Sequence, residues 1–380
     1  MNKIPFNMPT LIGTELKYLE DSIKKGKFSG DGYFTNKCTE ILRNKLNASS
    51  VLLTTSCTHA LEMCAILLDI KSGDEVIMPS YTFVSTANAF ILRGAKVVFI
   101  DIEPDMMNIN PAGIENAITS KTRAIVVVHY AGVGCDMDSI MRIAKKYNIP
   151  VIEDAAQAIG SSYHGKSLGT IGTFGCISFH ETKNLHCGEG GALIINDKKY
   201  IERAEIIREK GTNRKKYIMG LVDKYSWVDI GSSYLLSELN AAFLYPQLNS
   251  LVEITNNRKY LWQEYYSKLT EVLEITVQPY PKNIAEFNAH IFFIKVKNIE
   301  IRGKLIEFLF QKGISATFHY ISLHTASASK IYSEFRGTDL YTTMESERLL
   351  RLPLYYGLKK EDVNEICNEI KEFFKKNYSI

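Results

Sequence analysis

The stretch that decides the reading of this chain is Phe174-Gly-Cys-Ile-Ser-Phe-His-Glu-Thr-Lys-Asn-Leu-His-Cys-Gly-Glu-Gly-Gly191. Cys176 to Phe179 is a short apolar run that reads as a buried strand, and Ala192 to Ile195 reads as another. Between them lies a polar loop with one lysine, Lys183, and three closely spaced glycines, Gly188, Gly190 and Gly191. Burying an ammonium disfavours its charged form. The neutral amine is a nucleophile that captures carbonyl compounds as Schiff bases. The glycines let the backbone turn sharply or pass close to a ligand. The plain alternative is an exposed loop lysine between two strands. The segment His180-Glu-Thr-Lys-Asn184 lacks the second histidine of HExxH, so no metal is expected.

Outward from this loop the pattern is a strand and helix alternation. Val51 to Ser56 reads as a strand that opens the helical run Leu61 to Leu68 through Cys57 and Thr58. A helix N-terminus with small hydroxyl residues can cradle a phosphate, although an ordinary helix cap has the same appearance. Strands follow at 75–78, 96–100, 123–128 and 151–152, with helices at 82–92, 111–118 and 137–147 between them. This rhythm predicts an α/β fold around a mostly parallel sheet, with ligands bound beyond the carboxyl ends of its strands. Asp154, Phe83 and His129-Tyr130 all fall at such ends. After Ile195 we expect a helix to Glu209, a polar basic loop over 210–217, and a long helical region from Ser233 to about Leu269. A smaller α/β portion then follows, with strands at 289–296 and 314–319 and helices at 302–311, 343–350 and 361–374. The expected division is an arm over 1–12, a large unit over 13–240 and a small C-terminal unit over 241–380.

The 380 residues are 46% hydrophobic and 23% charged with a formal net charge of +3, an ordinary globular balance. So small an excess of positive charge points to neither nucleic acid nor an anionic membrane surface. No stretch approaches the ~18 apolar residues of a membrane span. The N-terminal residues lack the apolar core of a signal peptide. Seven scattered cysteines without a CxxC fit reduced thiols, so a cytoplasmic setting is expected. Neither GxxxxGK[ST] nor GxGxxG occurs.

A lysine that forms Schiff bases, a strand-end carboxylate and a phosphate cradle together are what pyridoxal 5'-phosphate (PLP) requires, because its protonated ring is an electron sink. The motifs Ser178-Phe-His-Glu-Thr-Lys-Asn184, Gly188-Glu-Gly-Gly191, Glu153-Asp-Ala-Ala-Gln157, Thr55-Ser-Cys-Thr58 and Pro79-Ser-Tyr-Thr-Phe-Val-Ser-Thr-Ala-Asn-Ala89 follow one another in this order. The chain thereby resembles the sugar aminotransferases of the DegT/DnrJ/EryC1/StrS family over nearly its whole length. The resemblance implies the PLP-dependent fold type I, similar to aspartate aminotransferase, with a large mostly parallel domain and a smaller C-terminal α/β domain. It implies Lys183 as the cofactor lysine and proton carrier, Asp154 on the ring nitrogen, Gln157 on the ring hydroxyl and Phe83 on the ring face. Cys57, Thr58 and Ser178 would hold the phosphate.

Tyr320 and His324 would lie near the sugar nucleotide, with Arg214 in the basic loop, where a merely solvated loop is the equal alternative. Many members supply an Asn to the partner subunit's phosphate; Ser232-Ser233 stands here, leaving Ser233 as the donor. Phe28-Ser-Gly-Asp-Gly32, Ile206 to Arg214 and Tyr341 to Pro353 narrow the resemblance. They point to members that move the amino group of L-glutamate to C4 of TDP-4-oxo-6-deoxyglucose, yielding the galacto amine for a surface polysaccharide of the enterobacterial common antigen type. A homodimer with shared active sites is implied. A 3-amino product, the gluco epimer or a PLP-binding protein without catalysis remain the alternatives.

Overall fold

The computed structural model describes residues 3–281 and 286–378, so Met1 and Asn2 of the expected arm lie outside it. Helices α1 (Glu15–Lys25) and α2 (Tyr33–Leu46) lead into β1 (Ser50–Thr54) and α3 (Cys57–Leu67). Then come β2 (Glu75–Pro79), α4 (Val84–Ile91), β3 (Lys96–Ile100), α5 (Pro111–Ala117), β4 (Thr122–Val128), α6 (Met137–Tyr147) and β5 (Val151–Asp154). A small hairpin, β6 (Ser162–Tyr163) and β7 (Lys166–Ser167), precedes β8 (Phe174–Ser178) and β9 (Gly191–Ile195). Helices α7 (Ile201–Arg208), α8 (Arg214–Ile218), α9 (Glu238–Asn249) and α10 (Leu251–Leu269) follow. The C-terminal part holds β10 (Thr276–Val277), β11 (Phe292–Lys295), α11 (Ile299–Gln311), α12 (Ser329–Tyr332), β12 (Ser333–Phe335), α13 (Thr342–Arg348), β13 (Leu349–Leu352) and α14 (Lys360–Tyr378).

The large sheet has the order β1-β9-β8-β5-β4-β2-β3-β12. Among its paired strands only β9 runs against its neighbours β1 and β8. Strands covered on both faces read as nearly continuous apolar runs, and the interiors of β1 to β4, β8 and β9 do so. Along β1, Val51 and Leu53 pack into one core beneath α2 and α9, while Leu52 enters the opposite core with α3 and α4. The register places Val128 beside Asp154 and Asp154 beside Cys176, so the carboxyl ends of β4 and β5 lie level and β8 runs two residues further, to Ser178. The loop from Phe179 to Gly190 therefore crosses that edge. A second sheet, β10-β11-β13, packs with α10, α11 and α14 around Trp262, Tyr265 and Phe292.

Four expected elements differ, one of them the basic loop over 210–217, which holds helix α8 (Arg214–Ile218). Ser233 to Ser237 is extended, because Ser233 bridges Glu209 and Leu235 bridges Thr54; the helix begins only after Ser237, whose hydroxyl accepts from the Asn240 N–H. The run 314–319 forms isolated bridges rather than a strand, since the N-terminal arm takes its edge: Ile4 N donates to Gly313 O and Ser315 N to Ile4 O, each at 3.0 Å. The helix expected to reach residue 350 stops at Arg348, and Leu349 to Leu352 pairs with β11. Strand β12 was not legible at all, yet it joins the large sheet beside β3.

Helix α2 starts at Gly32, which has no side chain to cap it. Glu238 from α9 does that work, accepting from the N–H groups of Gly32 (3.0 Å), Phe34 (2.8 Å) and Thr35 (2.9 Å) and from the Thr35 hydroxyl. A Cβ at position 32 would overlap this carboxylate. Glu238→Ala leaves those buried donors unpaired and is expected to cost about 3 kcal/mol, read as a lower denaturant midpoint at unchanged slope. An unchanged midpoint would show that water replaces the carboxylate.

Candidate active site

The first turn of α3 is the floor of one end of the site. Ser56 caps it, accepting from the His59 N–H at 3.1 Å, which leaves the N–H groups of the first turn directed outward with the positive end of the helix dipole. Strand β9 passes close beneath. A side chain at Gly191 would overlap the backbone of Ser56 and Cys57, so glycine is required there. Thr58 Oγ1 donates to Ser85 Oγ at 2.9 Å, and Ser178 stands at the end of β8.

Asp154 ends β5 and is 6% exposed. Its Oδ2 accepts from Thr86 Oγ1 at 2.7 Å and its Oδ1 from the Ala156 N–H at 3.2 Å. Thr86 in turn shares a 2.7 Å hydrogen bond with Thr82. Burial raises the carboxyl pKa, while the Thr86 and Ala156 hydrogen bonds and the Lys183 charge pull it back. Behind it, Glu153 accepts from the N–H groups of Gly169, Ile171 and Gly172 and pairs with His129 Nε2 at 3.0 Å. The Cys135 N–H donates to His129 Nδ1, so the Nε2 tautomer carries the proton. Gln157 accepts from the Ala131 N–H at 2.7 Å and donates to the Tyr320 hydroxyl at 3.1 Å.

Ser56, Thr82, Ser85, Thr86 and Asp154 line one cavity of about 530 Å³, a size suited to a small organic ligand, while Glu153 and His129 stand behind it. Lys183 lies on its wall with Cys57, Thr58, Phe83, Asp154, Gln157, Ser178 and Tyr320. Among the described residues no acid lies within ion-pair distance of Nζ. Burial pushes the Lys183 pKa below its usual value and the Arg351 charge adds to this, with Cys57 and Asp154 opposing. Phe83 is 55% exposed, an aromatic face presented to the opening and 6.1 Å from the Tyr320 ring.

Three expected residues lie elsewhere in this chain. Ser233 is on the extended stretch before α9 and exposed. Arg214 pairs with Glu209 at 3.3 Å, and its neighbours Lys215 and Lys216 pair with Glu205 and Glu202. His324 is held between Ser80 Oγ (2.7 Å) and Asp339 Oδ2 (3.0 Å). None of the three lines the cavity. Conversely, the sequence reading missed Thr86, His290, His319 and Arg351, and Phe6 and Asn7 of the arm. Thr86 could have been found, one helical turn after Phe83 at the same strand edge. Burial lowers the pKa of both His290 and His319, so each is a neutral ring at neutral pH.

A helix N-terminus for a phosphate, a buried carboxylate for a ring nitrogen and a lysine of lowered basicity fit pyridoxal phosphate, and fold and site together define an aminotransferase that uses it. The chain belongs to the DegT/DnrJ/EryC1/StrS aminotransferase family, which it matches over residues 9–371. It is 34% identical over 380 aligned residues to the uncharacterized protein MJ1066 of Methanocaldococcus jannaschii, covering 98% of each chain. Its structure is similar to that of the aminotransferase TlmJ from Streptoalloteichus hindustanus, at 27% identity and TM-score 0.91 over 99% of this chain and 100% of that one. It is also similar to Spr1654 of Streptococcus pneumoniae in its PLP form, at 25% identity and TM-score 0.89 over 100% of both chains. A PMP form of Spr1654 gives the same TM-score over 98% of this chain and 100% of that one. No described helix is long and apolar enough to cross a membrane.

The lowered basicity of Lys183 has a stability consequence. Below its folded pKa the lysine is charged and the burial penalty is fully present. The penalty is relieved as pH rises from there toward the ordinary value of 10.5. Cofactor-free Lys183→Met protein should therefore melt above cofactor-free wild type at pH 7, and the gap should narrow by pH 10. Equal melting temperatures at pH 7 would contradict the burial of this charge.

Proposed function

We propose that this protein is a sugar aminotransferase that moves the amino group of L-glutamate to C4 of TDP-4-oxo-6-deoxyglucose, giving the galacto 4-amino sugar nucleotide and 2-oxoglutarate. The observation that carries the reading is Lys183 on the wall of one cavity with Asp154, at the carboxyl ends of the parallel strands. Family membership supports the transfer of an amino group. The narrower acceptor rests on the motifs at 28–32, 206–214 and 341–353.

When bound, the cofactor supplies an electron sink for breaking bonds at the amino-bearing carbon. Lys183 holds it in place, then takes the α-proton of the donor at Nζ and, in the second half-reaction, delivers a proton to sugar C4. A lowered pKa suits that base role. Asp154, fixed by Thr86, would pair with the ring nitrogen and keep it protonated. Gln157 would bond the ring hydroxyl, Phe83 would cover the ring face, and Cys57, Thr58 and Ser178, all on the cavity wall, would hold the phosphate with the α3 N-terminus. Donor and acceptor use the same cavity in turn, a ping-pong order.

We take the working form to be a homodimer. Ile218, Met219, Leu221, Trp227 and Val228 form an exposed apolar run, with Trp227 at 81% exposure, and a second copy would cover it. Ser233 lies just beyond this run and would reach the phosphate of the partner; Arg214, His324 and Tyr320 would meet the sugar nucleotide. Seven free thiols fit a cytoplasmic setting.

The test is the visible spectrum of the loaded protein. Glutamate should bleach the cofactor band and TDP-4-oxo-6-deoxyglucose should restore it, with no turnover in Lys183→Ala. A band restored only by a 3-oxo sugar would move the acceptor carbon. A band that no α-amino acid bleaches would defeat the aminotransferase reading.

A further inference from the structure

Just before β11 the chain turns a sharp corner at Asn288-Ala289-His290, and all three residues are buried. Ala289 is left-handed, with φ of 50°, a conformation that an alanine adopts only where its surroundings enforce it. Arg258 of α10 donates to the carbonyls of Ala289 (3.1 Å) and His290. Asn288 Nδ2 donates to the carbonyls of Gln157 and Ile159, both at 2.8 Å, and its Oδ1 accepts from the His290 N–H at 3.1 Å. A Cβ at Gly132 would lie 2.0 Å from Asn288 Oδ1, so the amide fits only against a glycine.

The same corner holds the residue after Lys183. Asn184 is buried, its Nδ2 donates to Asn288 O at 3.0 Å, and its Oδ1 lies 2.9 Å from His290 Nδ1. With Nδ2 committed to a carbonyl, Oδ1 is the acceptor, so the His290 proton sits on Nδ1. Thr10 Oγ1 donates to the Asn184 carbonyl at 3.1 Å. On the other side of Lys183, Glu181 and Thr182 are exposed, so the buried hold on the loop begins at Asn184.

We propose that Asn184, Asn288 and His290 are positioning residues that fix Lys183 against the turn from Asp154 to Gln157; this rests on the aminotransferase reading above. Lys183 has to place Nζ at the cofactor and then at the α-carbon of the donor, while Asp154 and Gln157 would place the ring. A ring held by one segment and a lysine carried by another meet correctly only if the two segments are fastened together. A misplacement of ~1 Å costs on the order of 100-fold in rate. The fastening uses amides and an imidazole that its buried, cation-lined surroundings keep neutral. An acid in their place would favour the charged lysine and weaken it as a base.

The test uses full-length loaded protein with Asn184→Ala, His290→Phe, His290→Asn and the double variant Asn184→Ala/His290→Phe, the visible band certifying cofactor content in each. Rapid mixing with a series of L-glutamate concentrations reads the saturated bleaching rate and the half-saturating concentration separately. Asn184→Ala and His290→Phe should each bleach roughly 10- to 100-fold more slowly at saturation, with half-saturation within about twofold of wild type. His290→Asn keeps an N–H donor for Asn184 Oδ1 and should recover part of the rate. The double variant should lose no more than the slower single one, because both changes break one link. Without substrate, the pH midpoint of the visible band should shift in both single variants, since it senses where the lysine nitrogen stands relative to the ring. An undiminished saturated rate overturns the proposal. So do losses that multiply in the double variant, which would give the His290 ring its own contact with substrate. A lower melting temperature with rate and midpoint unchanged overturns it as well, leaving a corner that only holds the fold. If Asn184→Ala does not fold, His290→Phe against His290→Asn decides, and equal rates and midpoints overturn the proposal. Wild type that no α-amino acid bleaches removes the aminotransferase reading itself, a result visible before any variant is made.

Discussion

A carboxylate at the end of a buried strand has lost its water and must find other donors. Asp154 finds the Thr86 hydroxyl and the Ala156 N–H, and the site is built outward from that solution. Thr86 is available because α4 begins at the same edge, and it is oriented because Thr82 holds it. Ala156 is available because the chain turns just past β5, a turn fixed again at Gln157 by the Ala131 N–H. The acid beside it, Glu153, faces the other way and uses its oxygens on backbone groups and His129. Two adjacent carboxylates thus have separate duties, one stapling the fold and one left directed at the cavity.

The cavity has to serve two substrates that share little except the reacting nitrogen. Its wall is divided accordingly. Helix α3, β8 and Asp154 define one end, where hydroxyl and amide donors gather. The C-terminal portion supplies the other, where His290, His319, Tyr320 and Arg351 stand. Burial keeps both histidines neutral, so Lys183 and Arg351 are the positive groups at this end of the wall.

The parallel core was legible because buried strands are mainly apolar, as Val51 to Leu53, Val76 to Met78, Val97 to Ile100 and Ala124 to Val128 show. Lys183, Asp154 and Phe83 were legible because strand ends are where such a fold exposes chemistry. Arg351 was not. It sits in Leu349-Leu350-Arg351-Leu352, a run whose local pattern suits the end of a helix, and only pairing with β11 makes it a strand. Strand β12 has three residues and no apolar alternation, so its place is set by its partner β3. Ser233, Arg214 and His324 illustrate the opposite limit. A resemblance can carry a residue to a position, but within one chain each of these sits away from the cavity, Arg214 held by an ion pair with Glu209 and His324 by a hydrogen bond with Asp339.

Strand β12 also bears on how the molecule can move. The chain leaves the large sheet after β9, begins the second sheet with β10 and β11, returns to pair β12 with β3 at the far edge of the first, and only then completes the second sheet with β13. Arg336 fastens that return, bonding Glu75 at 3.0 Å and the carbonyl of Ala117. The C-terminal third is consequently attached at several separated places rather than hung from one linker: Asp101 also accepts from the N–H groups of Leu340, Tyr341 and Thr342, and Asn288 donates to the carbonyls of Gln157 and Ile159. A body tied along a whole face cannot swing wide as a single-hinged lobe does.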